Sequence, residues 1–275
     1  MAEHTPRSLI VTLYGAYGRG RTPGDEPLPI AALIRLLGAV EVDPPSVRSA
    51  VSRLKRRGLL APARTADGAA GYVLSEGARQ LLDDGDRRIF GRRPPRLADG
   101  WVLAVFSVPE HERNKRHLLR SRLARLGFGT AAPGVWIAPA HLLEETRHTL
   151  GRLELAPYVD LFTGSHTGFE PTPGAVARWW DLDAIAKLHQ AFLDEHEPML
   201  RRWTSRRTTD REEAYRDHLL MIDSWRHVPY ADPGLAPELL PADWPGARSA
   251  EVFTALHARL RTPATAYARS VLSAA

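Results

Sequence analysis

The hydrophobic pattern changes period on either side of "GRRPPRLADG" (91–100), and this change constrains the fold more than any other feature. Upstream, apolar residues recur every three or four positions, the period of helices with one buried face. Immediately downstream, "WVLAVF" is a continuous apolar run suited to a central strand. A second break, "TGSHTGFEPTPGA" (163–175), returns the chain to helical periodicity. At 275 residues the chain also exceeds what a single core usually serves. The expectation is a multidomain α+β protein divided at 1–95, 99–168 and 172–275, without internal repeats or low-complexity tracts.

In the first segment, a helix is predicted over Leu9–Tyr17, followed by the Gly/Pro loop "GRGRTPGDEPLP" and a short helix with Ile30, Leu33, Ile34 and Leu37 on one face. "VDPPS" starts the next helix, with Asp43 able to cap it and the prolines tolerated in its first turn. Val47, Ala50, Val51 and Leu54 recur at i, i+3, i+4 and i+7 and form its buried stripe. The opposite face is centred on Ser49, Ser52 and Arg56, flanked by Arg48 and Arg53, and Gly58 closes the helix. Two short runs, Leu59–Arg64 and Gly71–Leu74, flank Asp67-Gly68, a strong hairpin signal. Ser75 then caps a helix carrying Ala78, Leu81 and Leu82. Three helices, a hairpin and a closing helix give the order of a winged helix-turn-helix, whose third helix enters the major groove while the wing lies along the phosphates.

Charge points the same way. Residues 44–64 carry six basic side chains and no acid. Residues 1–98 hold 16 Lys+Arg against 10 Asp+Glu, whereas 99–168 hold 8 against 7 and 169–275 hold 13 against 15. The basic excess is confined to the first segment, where a polyanion would dock. No run approaches the ~18 apolar residues of a membrane span. The N-terminus reads as the start of a domain, not as a signal peptide. With no cysteine, disulfides, thiolate nucleophiles and Cys-type zinc sites are excluded. A cytoplasmic, nucleoid-associated protein without a cofactor fits these facts.

In the middle segment the strand "WVLAVF" is followed by a basic helix with Leu119, Leu123 and Leu126 inside and Arg113, Lys115, Arg116, Arg120 and Arg122 outside. "GFGTAAPGVWIAP" supplies two strands around a turn. "HLLEETRHTLGRLEL" is a helix with Leu143, Leu150 and Leu153 on one side, and "YVDLFTG" is a last strand. This βαββαβ order is ferredoxin-like. Three helices are predicted beyond it, burying Leu182, Ile185, Leu188 and Phe192, then Tyr215, Leu219 and Ile222, then Phe253, Leu256 and Leu260.

A basic amphipathic helix is by itself commonplace. The preceding short helix, the following hairpin and the local charge excess favour DNA readout over a merely solvated face. Arginine forks suit guanine edges or phosphates, and small serines allow close approach to the groove. The candidate DNA-binding residues are Ser46, Arg48, Ser49, Ser52, Arg53, Arg56, Arg57 and Arg64. Ser49, Ser52 and Arg53 are assigned to base edges, and Arg48, Arg56, Arg57 and Arg64 to phosphates. Other chemistry is thinner. His141 and His148 read as surface histidines. The cluster Asp210, Glu212, Glu213, Asp217 and His218 reads as a charged outer helix face. "GFGTAAPG" reads as a hairpin turn, and Trp179 and Trp180, at a helix start, read as core or interface. A metal-dependent nuclease built on the ferredoxin-like segment and a protein-binding adaptor using the winged helix are the alternatives.

"SVRSAVSRLKRRGLL", "GYVLSEGARQLL", "RLARLGFGTAAPGVWIAP" and "ADPGLAPELLPADWPG", in this order and spacing, resemble the phenylacetate-degradation repressor family (PaaX) over nearly the full length. The resemblance implies a homodimeric bacterial repressor bound to palindromic operators and released by an acyl-coenzyme A such as phenylacetyl-coenzyme A. It also implies a central domain similar to the CRISPR-associated spacer-acquisition nuclease and a helical C-terminal domain. Ser107 stands where nuclease relatives would carry a metal-binding aspartate, which argues against cleavage. Ala236 stands where the family's loop commonly has proline.

Overall fold

The computed structural model describes residues 4–19, 26–91 and 95–274. The chain packs as two units, one of Met1–Gly91, Gln190–Arg226 and Ala247–Ala275, the other of Arg92–His189 and His227–Gly246.

In the first unit, Thr5 caps helix α1 (Pro6–Leu13) by accepting the Ser8 N–H, and Pro6 takes the first turn. The helix thus starts three residues before the apolar pattern does. A π-helical turn, Tyr14–Gly18, continues it and buries Tyr14 and Tyr17. The segment read as a loop contains a short strand, β1 (Leu28–Pro29), antiparallel to β3 (Ala70–Leu74). A proline is tolerated there because β1 is an edge strand; residues 20–25 of that loop lie outside the described ones. Helix α2 (Ile30–Gly38) buries Ala32, Leu33, Leu36 and Leu37, while Ile30 and Ile34 are only half-buried. The inward face is rotated because the small Ala32, which a search for large apolar residues passes over, turns inward.

Helix α3 (Pro44–Arg56) and the strands β2 (Leu60–Arg64) and β3 follow the sequence reading, in a sheet of order β1-β3-β2. Gly71 is required in β3, since a Cβ there would lie 2.9 Å from the Leu28 carbonyl oxygen of β1. Ser75 caps α4 (Glu76–Phe90) through the Ala78 N–H. Ala78 is buried, but Leu81 is exposed, contrary to its expected place in the stripe.

The same unit contains the later part of α8 (Leu182–Ser205), α9 (Arg211–Trp225) and most of α10 (Gly246–Ser273). Tyr215, Leu219, Ala264, Ala268 and Val271 join the core formed by α1, α2 and α3. Asp223 of α9, fully buried, ties α1 to this bundle. It accepts hydrogen bonds from Ser8 Oγ and Thr12 Oγ1 (2.7 Å each), His4 Nδ1 (2.9 Å) and Arg226 Nε (3.1 Å). Leu188, expected inside α8, is exposed; the inward stripe runs Ile185, His189, Phe192, His196.

The second unit is built on a four-stranded antiparallel sheet of order β5-β6-β4-β7, from β4 (Trp101–Phe106), β5 (Gly129–Ala132), β6 (Val135–Pro139) and β7 (Val159–Gly164). Helix α5 (Arg113–Arg125) links β4 to β5, and α6 (Leu143–Arg152) links β6 to β7, which is the expected βαββαβ order. Val102 and Ala104 of β4 face the core shared with Leu119, Leu123 and Leu150. Trp101 and Leu103 face the other layer, with Ile137, Val176, Trp180 and Ile185. Both faces of β4 are therefore covered, which is why its sequence does not alternate.

Helix α7 (Thr172–Trp179) occupies what reads as a Pro/Gly break. Its proline lies in the first turn, where no N–H is missed. Trp179 and Trp180 therefore stand at a helix end, not a helix start. Trp180 donates from Nε1 to the Gly127 carbonyl (3.0 Å) and stacks on Trp101 at 6.0 Å between ring centres. Gly129 must be glycine, because a Cβ would lie 2.6 Å from the Trp179 carbonyl oxygen.

A candidate nucleic-acid interface on helix α3 and the hairpin

Both ends of α3 are fixed by backbone chemistry. Asp43 accepts the Ser46 N–H at 2.9 Å, and the Ser46 hydroxyl and N–H together hold the Asp43 carboxyl below the usual carboxylate range. At the other end Gly58, with φ +69°, gives a Schellman closure: its N–H meets the Lys55 carbonyl (2.9 Å) and the Leu59 N–H meets that of Leu54 (3.0 Å). The preceding turn is closed the same way with glutamate in the left-handed position, Glu41 at φ +63° and the Val42 N–H on the Leu37 carbonyl at 3.1 Å. Val47, Ala50, Val51 and Leu54 are buried, so the opposite face is presented outward.

On that face Arg48, Ser49, Ser52, Arg53, Lys55 and Arg56 are exposed, as are Arg57 at the helix end and Arg64 at the end of β2. Ser46 is half-buried and engaged with Asp43. Arg53 donates from Nη2 to Ser49 Oγ (2.8 Å), a contact one turn apart that aligns the guanidinium along the helix. Arg64 donates from Nη1 to the Gly68 carbonyl (2.8 Å), clasping the hairpin loop that Gly68 turns at φ +86°. Tyr14 Oη donates to the Tyr72 carbonyl (2.9 Å), fixing the central strand of this sheet to α1.

Among the described residues, none of Arg48, Arg53, Lys55, Arg56, Arg57 and Arg64 makes an ion pair with an acid. Arginines elsewhere in this unit do: Arg19 with Asp83 and Asp86, Arg206 with Glu213, Arg226 with Asp223. Lys55 belongs to the exposed set although the sequence reading passed over it; its place in the acid-free run was the available signal. Thirteen helical residues span about 20 Å, and a helix of ordinary diameter fits a major groove ~12 Å wide. The arrangement presents cations and hydroxyls, with no nucleophile–base pair among them.

The other candidate chemistry resolves structurally. Asp217 and His218, expected on an outer face, are buried. Asp217 accepts from Trp203 Nε1 (2.7 Å) and from Arg202, and these partners offset its burial. Tyr17 Oη lies 2.5 Å from His218 Nδ1, and His218 Nε2 lies 3.0 Å from His257 Nδ1. Burial, with help from His257 and Arg261, pushes His218 down to about 3, so the ring is neutral, with one ring nitrogen a donor and the other an acceptor between Tyr17 and His257. Asp210 caps α9 through the N–H groups of Glu212 and Glu213. His141 and His148 are exposed. Ser107 is exposed just beyond β4, its N–H on the Tyr158 carbonyl. Among the described residues no three His, Cys, Asp or Glu side chains converge as a metal site, and no helix is long and apolar enough to cross a membrane.

Three family models match consecutive stretches of the chain. Residues 5–78 match a PaaX-like protein, 94–176 the PaaX protein central Cas2-like domain, and 180–270 the PaaX-like protein C-terminal domain. The chain is 25% identical over 266 residues to the transcriptional repressor PaaX of Escherichia coli (strain K12), covering 94% of this chain and 82% of that one. Among solved structures it is similar to uncharacterized protein Rv0674 from Mycobacterium tuberculosis, with a TM-score of 0.60 and 24% identity over 98% of this chain and 99% of that one. This last likeness concerns the fold alone. With matches in order across nearly its whole length, the chain belongs to the PaaX family, a mixed α and β multidomain protein with a Cas2-like central domain and a helical C-terminal part.

Proposed function

We propose that this chain is a homodimeric DNA-binding transcriptional repressor, not an enzyme, and that it reads its operator with a winged helix-turn-helix. The domains are 1–95 for DNA binding, 99–168 for the ferredoxin-like centre and 172–275 for the helical C-terminal part. The observation that carries the reading is the run of six cations on α3 and β2, exposed and without acidic partners among the described residues. Acids at i+3 and i+4 would stabilise a merely solvated basic face through ion pairs; this face has none among the described residues. Kinship with a protein named as a transcriptional repressor supports the same reading.

In this reading Ser49, Ser52 and Arg53 face base edges, while Arg48, Arg56, Arg57 and Arg64 hold phosphates. Ser46 stands at the helix start, where the N–H groups of the first turn meet the backbone. A small effector, an acyl- or aryl-acyl-coenzyme A such as phenylacetyl-coenzyme A, lowers operator affinity; this follows the family resemblance. The protein works in the cytoplasm, associated with the nucleoid.

Fluorescence anisotropy tests the proposal, with the duplex upstream of the chain's own gene titrated beside a shuffled duplex of equal composition at about 0.1 M salt. A preference for the native sequence of about 10³ or more is expected, reversed by phenylacetyl-coenzyme A. Specific binding should also be sought on fragments covering the rest of the genome. Equal, weak binding throughout would overturn the reading and favour the adaptor alternative.

A further inference from the structure

The second unit holds an open groove of about 470 Å³ between the first turns of α5 and the β5–β6 hairpin. Its volume lies within the range of small-molecule sites, ~300–1,000 Å³. The floor is aromatic: Phe106 of β4 and Trp136 of β6, ring centres 6.5 Å apart and planes inclined by 54°. Thr130, exposed on the edge strand β5, adds a hydroxyl. The charged side chains on its lining are two arginines one helical turn apart, Arg116 and Arg120.

The two arginines differ. Arg116 is half-buried and already engaged, with Nη2 donating to the Val108 carbonyl (2.6 Å) and Nη1 paired with Glu110 (3.0 Å). Arg120 is exposed and makes no ion pair among the described residues. The groove therefore offers an apolar floor, the hydroxyls of Ser107 and Thr130 and one uncompensated guanidinium fork, which binds carboxylate or phosphate in two parallel hydrogen bonds. Gly134 forms the rim at φ +77°, in a turn between β5 and β6.

We infer that this groove binds a small organic anion: a flat apolar body lying on Phe106 and Trp136, with a carboxylate or phosphate held by Arg120. The inference rests on the effector reading above for the consequence of binding, and on the groove alone for binding itself.

The test is isothermal titration of the full chain, without DNA, using benzoate, phenyl phosphate and the neutral benzyl alcohol. The two anions separate the carboxylate and phosphate sources of the ligand. At least one anion should bind at millimolar concentrations, tenfold or more tighter than the alcohol. R120A should lose that tenfold preference, and R120K should recover part of it. A132F, at an exposed position on the groove lining, should block anion and alcohol alike while leaving the melting temperature unchanged. Absence of saturable binding at millimolar concentrations, or equal affinities in wild type and R120A, would overturn the inference. So would an R120A protein that keeps anion binding and instead loses affinity for duplex DNA. Because binding is measured without operator, a failure of the repressor reading leaves this result standing, and the reverse also holds.

Discussion

Arg56 offers the most quantitative handle on the interface. It is exposed near the last turn of α3, has no acidic partner among the described residues, and lies one turn from Arg53. If it holds a phosphate, binding releases a condensed counterion. The slope of log affinity against log salt then carries about −0.9 from this contact in each protomer. At about 0.1 M salt the same term is worth about 1.2 kcal/mol, or roughly eightfold per contact. The four cations assigned to phosphates, Arg48, Arg56, Arg57 and Arg64, give a slope near −3.6 for one protomer and about −7 for a dimer. R56A should therefore flatten the dimer's slope by about 2 and weaken binding roughly sixtyfold, by the same factor on operator and shuffled DNA.

Anisotropy titrations at four salt concentrations between about 50 and 200 mM measure the slope, and a thermal melt checks the fold. Losing an exposed side chain without a charged partner should change stability by less than about 0.5 kcal/mol. An unchanged slope would refute the phosphate assignment. A loss confined to the operator sequence would make Arg56 a base reader instead. A change of 1 in place of 2 would refute the homodimer.

Other expectations follow from the same geometry. G58A should cost about 1 kcal/mol in urea unfolding, because alanine resists the positive φ of the Schellman closure; an unchanged midpoint would show that the helix end relaxes. D223A strips a buried acceptor from Ser8, Thr12, His4 and Arg226 and should cost ~3–5 kcal/mol, read as a drop in melting temperature, with a drop of only a degree or two counting against the network. His218, held down to about 3 by burial, stays neutral in the fold while the unfolded chain takes up its proton below pH 6.5. Its contribution is thus intact above pH 6.5 and falls away with acid, by about 2 kcal/mol at pH 5. H218Q should remove that share of the pH dependence, and identical pH profiles for variant and wild type would refute the burial argument.

The parts of this fold that were legible are those governed by local rules. Asp43 with Pro44 and Pro45 announces a helix start, Gly58 its end, and the stripe between them follows 100° per residue. β4 was legible because a strand covered on both faces needs no alternation. The helix α7 and the strand β1 were hidden for one shared reason. Proline ordinarily marks a break, but it is compatible with a first helical turn and with an edge strand, and only the tertiary setting tells these apart. Leu188 and His189 were exchanged because position i+4 from Ile185 carries a histidine, and hydropathy alone assigns the neighbouring leucine inward. His218, Asp217 and Asp223 were illegible altogether, since partners from 14 to 219 residues away in sequence make their burial tolerable. For the interface, the charge run was visible, but the lack of acidic partners among the described residues needed the structure.

The division of labour on α3 has a consequence for how such an interface can change. Val47, Ala50, Val51 and Leu54 hold the helix in the core, and the Asp43 cap and Gly58 closure hold its ends. None of these groups is among the exposed residues assigned to DNA. Arg48, Ser49, Ser52, Arg53, Lys55 and Arg56 face outward and bury no apolar stripe, so replacing them costs little stability. Ser46 alone belongs to both sets, a candidate contact whose hydroxyl and N–H already serve the cap. On the repressor reading, such a fold lets operator preference vary at the base-edge positions Ser49, Ser52 and Arg53 while the helix stays fixed. Unneutralised like charges on that face repel one another in the free protein. If the face binds DNA as proposed, arriving phosphates relieve that repulsion.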